Sequence, residues 1–207
     1  FILHELYNWR VLNILKIAAE NSGKITKTYF SVAKRIETKE KTSQRDLVTK
    51  ADGESQTEIR KIIIRLLKER GIAEKEIGFI GEEKLNEEGK HMFIIDPIDG
   101  TTDFACGLPF FCVSIAYAFE GEIVSGVVYN PNDGAMFCAE RGKGSSVIRN
   151  GETKQLKMVP APLKDCLASI HTNTSQAWDR AKKMNEKIRG MRDLGSIALE
   201  TAMMAVA

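Results

Sequence analysis

Apolar residues fall at helical spacing over the start of the chain. Leu3, Leu6, Tyr7, Val11, Ile14, Ile17 and Ala18 define one face of an amphipathic helix, which is expected to run past Ser22-Gly23 toward Ile36. Lys34 to Arg45 is polar and charged and reads as a solvated loop. The short run Leu47-Val48-Thr49 predicts a strand. Asp52 then sits where a helix N-cap belongs, ahead of Ile59, Ile62, Ile63, Leu66 and Leu67 on one face, with Gly71 as a stop. Phe79-Ile80 and Met92 to Ile95 are strand-sized apolar runs. Between them, Lys84 to Lys90 is a charged excursion where mobility is expected.

From Phe110 to Ile148 the pattern changes to strands. Phe111 to Phe119, Ile123 to Tyr129 and Ala135 to Ala139 are β-rich runs, and the short gaps between them predict antiparallel hairpins. Val159-Pro160-Ala161-Pro162 interrupts any regular element and marks a boundary. Beyond it, Cys166 to His171 and Met191-Arg192-Asp193 read as strands, Gln176 to Ile188 as a helix, and Ser196 as the start of a last helix. The sum is a layered α/β (α+β) protein. Residues 1–158 form an N-terminal α+β unit with an antiparallel sheet, and residues 159–207 form part of a C-terminal α/β unit.

Composition narrows the classes. Thirty basic residues against 28 acidic give a net charge of +2, so no general electrostatic footprint for nucleic acid or a membrane surface exists. Cys106, Cys112, Cys138 and Cys166 are scattered without CxxC spacing, which predicts free thiols and suits a cytoplasmic setting. No apolar run reaches transmembrane length.

The chemistry concentrates in Ile95-Asp96-Pro97-Ile98-Asp99-Gly100-Thr101-Thr102. A buried strand delivers Asp96 at its end, Pro97 stops it, and Asp99-Gly100 turns the chain so that a second carboxylate returns beside the first. At a separation of about 4 Å and an effective dielectric near 20, two such charges repel by roughly 4 kcal/mol. Either one acid takes up a proton or a hard cation sits between them. Gly100, Thr101 and Thr102 offer N–H and hydroxyl donors that serve either as turn caps or as a nest for phosphate oxygens. Likewise, Gly195-Ser196-Ile197 opens the last helix and can cap it, with Glu200 following, or hold an anion or polyol.

Asp96 to Phe104, Gly81-Glu82-Glu83 and Asp46 to Asp52 together resemble the inositol monophosphatase family of Mg²⁺-dependent, lithium-sensitive phosphatases. Gly126 to Pro131, Arg141 to Gly144 with Asn150-Gly151, and Leu194 to Leu199 follow in the family's order, so the resemblance runs from Asp46 to the C-terminus. It implies alternating layers of helices and sheets, a homodimer, and a small phosphorylated polyol or sugar as substrate, most simply inositol 1-phosphate. Fructose-1,6-bisphosphatase, 3′-phosphoadenosine nucleotide phosphatase and an RNA-linked regulatory role are the alternatives within the superfamily. The resemblance assigns a first Mg²⁺ to Glu82, Asp96 and the carbonyl of Ile98, and a second to Asp96 and Asp99. Glu82 and Thr101 would position the attacking water, with Asp46 bonded to the Thr101 hydroxyl. Asp99, Gly100, Thr101 and Thr102, together with Gly195, Ser196 and Ile197, would meet the substrate. Asp103 departs from the asparagine usual there. The family's later Trp-Asp element, whose aspartate completes the second metal site, does not follow Ala207, so the chain is expected to be a portion of a longer protein.

Overall fold

The computed structural model describes residues 2–33, 41–82, 85–171 and 175–205, with side chains from Val11 onward in the first helix and from Leu47 onward in the second. Two long helices, α1 (Ile2–Ala33) and α2 (Lys41–Lys68), pack side by side. They lie against a mixed sheet of β1 (Ile77–Gly81), β2 (Asn86–Glu87), β3 (His91–Asp99), β4 (Cys112–Phe119), β5 (Glu122–Tyr129), β6 (Met136–Glu140), β7 (Gly144–Arg149) and β8 (Glu152–Leu156). Strand order is β2-β1-β3-β4-β5-β6-β7-β8. Within this sheet, among the described residues, only β1 and β3 run parallel, because the β1–β2 hairpin sends the chain around to the other side of β1; the remaining neighbours are antiparallel. A short helix, α3 (Thr101–Ala105), follows β3. After β8 come β9 (Leu167–Ser169), α4 (Ser175–Asn185), β10 (Gly190–Arg192) and α5 (Ile197–Met204), with β9 and β10 forming a small parallel sheet.

Strand alternation builds the core. Phe93 and Ile95 on β3, with Val113, Ile115 and Tyr117 on β4, turn toward Ile14, Leu15 and Ala18 of α1 and Ile59, Ile63 and Leu67 of α2. The opposite face is covered at one end by α5, whose fully buried Leu199 packs with Cys112, Ala135, Phe137 and Val147.

The structure overturns the expected strand at Leu47-Val48-Thr49 and the N-cap at Asp52. Both lie inside α2, and Asp52 is a buried residue of its interior. The β-branched pair disguised a helical stripe of Val48, Ala51, Asp52, Ser55, Ile59, Ile62 and Ile63, all buried. That stripe is small and polar at its start, and α1, which packs against α2, likewise buries the small residues Ala19, Ser22 and Thr26. Of the predicted loop, residues 34–40 lie outside the described residues and the rest begins α2. Residues 85–90 are tied to the sheet and to α2. Asn86–Glu87 pairs with β1, Arg60 of α2 holds Glu87 at 3.0 Å, and a Cβ on Gly89 would stand 2.4 Å from the Gly78 nitrogen.

Candidate active site

Pro97 does not stop β3. The strand runs on to Asp99, with a bulge in place of the expected break: Asp96 pairs with Ser114 and Asp99 with Cys112, three steps on β3 against two on β4. Proline's missing N–H is tolerated at such an irregularity. In a regular strand, residues three apart point to opposite faces. The extra residue brings Asp99 round to the side of Asp96.

An apolar floor anchors the turn. Ile98 and Phe104 are buried with Phe30, Val48, Ala51 and Phe111, and the rings of Phe30, Phe104 and Phe111 lie 4.8–5.6 Å apart. Gly100 makes the reversal at φ 96°, where a Cβ would meet the Phe110 carbonyl oxygen at 2.7 Å and the Ser196 Cβ at 3.1 Å. A side chain there is excluded by conformation and by space.

Above this floor stand the acids. Asp96 Oδ1 accepts the Ile98 N–H at 3.1 Å. Burial, then the charge of Asp99, then that of Glu82 push the Asp96 carboxyl up to about 7, against the pull of that one N–H. Asp96 therefore feels the charges of both Asp99 and Glu82. Glu82, at the end of β1, is exposed. Thr101 donates its hydroxyl to the Ile98 carbonyl at 3.0 Å. The expected bond from Asp46 to Thr101 lies outside the described residues, because the Asp46 side chain is not among them. Thr101 and Thr102 form the first turn of α3, an element the sequence did not reveal, and Thr102 is exposed.

From the far end of the chain, α5 meets the same turn. Asp99 Oδ2 accepts from the Ser196 hydroxyl at 2.6 Å and from the Ala198 N–H at 2.7 Å, while the Cys112 thiol lies 3.8 Å away. Ser196 also caps the helix as predicted, accepting the Leu199 N–H at 3.2 Å. Glu200 receives the Leu194 N–H. The donors at the start of α5 thus serve the chain's own carboxylates. Gly195 and Ile197 are exposed beside them. Asp103 lies against Gly195, where a Cβ would stand 2.3 Å from its Oδ2 (φ 91°), and burial and the charge of Asp193 raise its pKa.

Among the described residues, no three His, Cys, Asp or Glu side chains gather closely enough to enclose a metal ion unaided. The donors at the turn are all oxygens, and Asp96 carries unrelieved repulsion from two neighbours. Such a set suits a hard divalent cation that keeps most of its waters.

Comparison with known proteins agrees with the mixed α/β fold. The family model described as Inositol monophosphatase family matches residues 8–206. The fructose-1,6-bisphosphatase/inositol-1-monophosphatase of Thermotoga maritima is 35% identical over 162 residues, covering 78% of this chain and 59% of the relative. The inositol-1-monophosphatase of Rhizobium meliloti is 30% identical over 205 residues, covering 94% of this chain and 73% of the relative. Among solved structures, the extragenic suppressor protein SuhB of Bartonella henselae superposes with a TM-score of 0.74 at 30% identity, over 95% of this chain and 74% of that one. The fold is a mixed α/β scaffold that carries an acidic turn at the end of β3. The chain belongs to the inositol monophosphatase family. It spans about three fifths to three quarters of the length of the curated relatives it matches. Among the described residues, no helix is long and apolar enough to cross a membrane.

Proposed function

We propose that the protein hydrolyses small phosphate monoesters with the help of Mg²⁺, and that inositol 1-phosphate is its substrate. The observation that carries this reading is the bulged turn that sets Asp96 and Asp99 side by side within the field of Glu82. Asp96, Asp99, Glu82 and the carbonyl of Ile98 would hold the cation. A bound Mg²⁺ polarises phosphate oxygens and lowers the pKa of coordinated water. Glu82, exposed at the rim, would take the proton of the attacking water, and Thr101, bonded to the Ile98 carbonyl, would orient that water. Gly100 and Thr102 would meet the phosphate, while Gly195 and Ile197, exposed beside the turn, would line the side where ring hydroxyls arrive; Ser196, fully buried and bonded to Asp99, does not reach that side. The protein acts as a cytoplasmic homodimer.

The dual name of the Thermotoga maritima relative favours fructose 1,6-bisphosphate as a second substrate to examine. Phosphate release from inositol 1-phosphate, fructose 1,6-bisphosphate and a 3′-phosphoadenosine nucleotide, each with Mg²⁺ and with EDTA, tests the reading. Turnover of inositol 1-phosphate that EDTA abolishes is expected. Turnover undiminished by EDTA would overturn the metal assignment, and preference for one of the other esters would overturn the substrate. RNA binding with no phosphatase activity on any ester would replace the enzyme reading altogether.

A further inference from the structure

Asp99 and Ser196 are 97 residues apart in sequence, yet they share a 2.6 Å hydrogen bond. Ser196 is fully buried, so its end of that bond is shielded from water, while Asp99 stays part-exposed. A second donor, the Ala198 N–H, reaches the same carboxylate oxygen at 2.7 Å. The buried Cys112 thiol completes the surround, 3.5 Å from the Ser196 hydroxyl and 3.8 Å from Asp99 Oδ2. Every one of these groups addresses Oδ2. Charge-assisted bonds of this length fix a carboxylate's plane as well as its position. Oδ1 is then the oxygen the carboxylate has to offer to a cation. Asp96, by contrast, is steered only by its local turn N–H.

We infer that Ser196 is a positioning residue for the metal site: with the first turn of α5 it anchors Asp99 through Oδ2 and so couples the docking of α5 to cation binding at the acidic turn. This inference rests on the proposed Mg²⁺ site. It differs from a substrate role for the start of α5, because the hydroxyl of Ser196 and the Ala198 N–H are committed to the protein's own carboxylate. Groups that orient a ligand to a metal typically change affinity by about 10–100-fold when removed.

Two variants separate positioning from helix capping. Ser196→Ala removes the hydroxyl and a good N-cap, whereas Ser196→Gly removes the hydroxyl and leaves a residue nearly as good at capping. Mg²⁺ affinity is measured by isothermal titration calorimetry on the intact chain, with circular dichroism of each variant as the check on folding. Hydrogen exchange at the Ala198 amide is followed with and without Mg²⁺. The expected result is a loss of affinity of at least about tenfold in both variants, and Mg²⁺-dependent protection of the Ala198 amide that both variants weaken. Wild-type affinity in Ser196→Gly would overturn the inference and leave Ser196 as a helix cap alone. Absence of Mg²⁺ binding in the wild-type chain would instead overturn the metal reading on which it rests. A variant that fails to fold hands the decision to the amide exchange of the wild type, where protection unchanged by Mg²⁺ counts against coupling.

Discussion

Replacing Asp96 by asparagine in the metal-free chain should remove a specific pH dependence of stability. The Asp96 carboxyl is pushed from 3.8 up to about 7 by burial and by the charges of Asp99 and Glu82. Between those values the folded protein keeps a proton that the unfolded chain has released. Stability therefore falls as pH rises through this window, by about 1.4 kcal/mol per unit. Across roughly three units the full effect is about 4 kcal/mol, and solvent screening at this half-buried position lowers it to about 2–4 kcal/mol. Below pH 4 both states hold the proton, and above pH 7 neither does, so the penalty is then constant. Asparagine keeps the oxygen that accepts the Ile98 N–H and carries no charge. Urea unfolding in EDTA at half-unit steps from pH 4 to 8, with wild type and Asp96→Asn side by side, isolates the contribution as a difference. The variant should gain on the wild type through the window and stay ahead above it. Adding Mg²⁺ at pH 8 should stabilise only the wild type. Parallel stability profiles for the two proteins would refute the electrostatic account of the turn.

Gly100→Ala should destabilise by about 3 kcal/mol or more, since it combines a left-handed conformation with a contact at 2.7 Å; Gly121→Ala, at φ 85° in open space, should cost only about 1 kcal/mol in the same denaturation assay. Leu199→Ala should cost about 2–5 kcal/mol by leaving a cavity beneath α5, and calorimetry should show weaker Mg²⁺ binding as the helix loosens. At the other end of the sheet, Tyr117→Phe removes the 2.8 Å bond to the buried His91 and should cost about 1 kcal/mol. Burial holds the His91 pKa below its usual value, so its contribution is fully present above about pH 6.5 and is lost as pH falls through the lowered value; His91→Gln should blunt that acid sensitivity in a thermal melt.

Where side-chain pattern and backbone agreed, the sequence was a good guide. The hairpins of β4 to β6 announce themselves through alternating apolar positions and short polar gaps, and Ser196 caps its helix as its position suggests. The acidic turn was legible because carboxylates, proline and glycine at that spacing leave few physical options. Two kinds of feature were hidden. The start of α2 buries Asp52 and Ser55 instead of aliphatic residues, so its buried stripe does not look buried. The bulge at Pro97 was hidden as well, because whether proline breaks a strand or rides in an irregularity depends on the neighbouring strand. Nor could spacing reveal that Asp99 and Ser196 meet, since that contact exists only once α5 has packed onto the sheet through Leu199.

The distance along the chain between the acidic turn and its donors has a temporal consequence. During synthesis at about 5–20 residues per second, the residues up to Gly100 leave the ribosome roughly 5–20 seconds before Ser196 and Ala198 do. In that interval the sheet has its hairpins, but Asp99 stands beside Asp96 without the hydroxyl and the amide that will fix it. The turn is therefore among the last parts of the domain to reach its final form, and a nascent chain stalled before α5 would carry the acids of the site without its geometry.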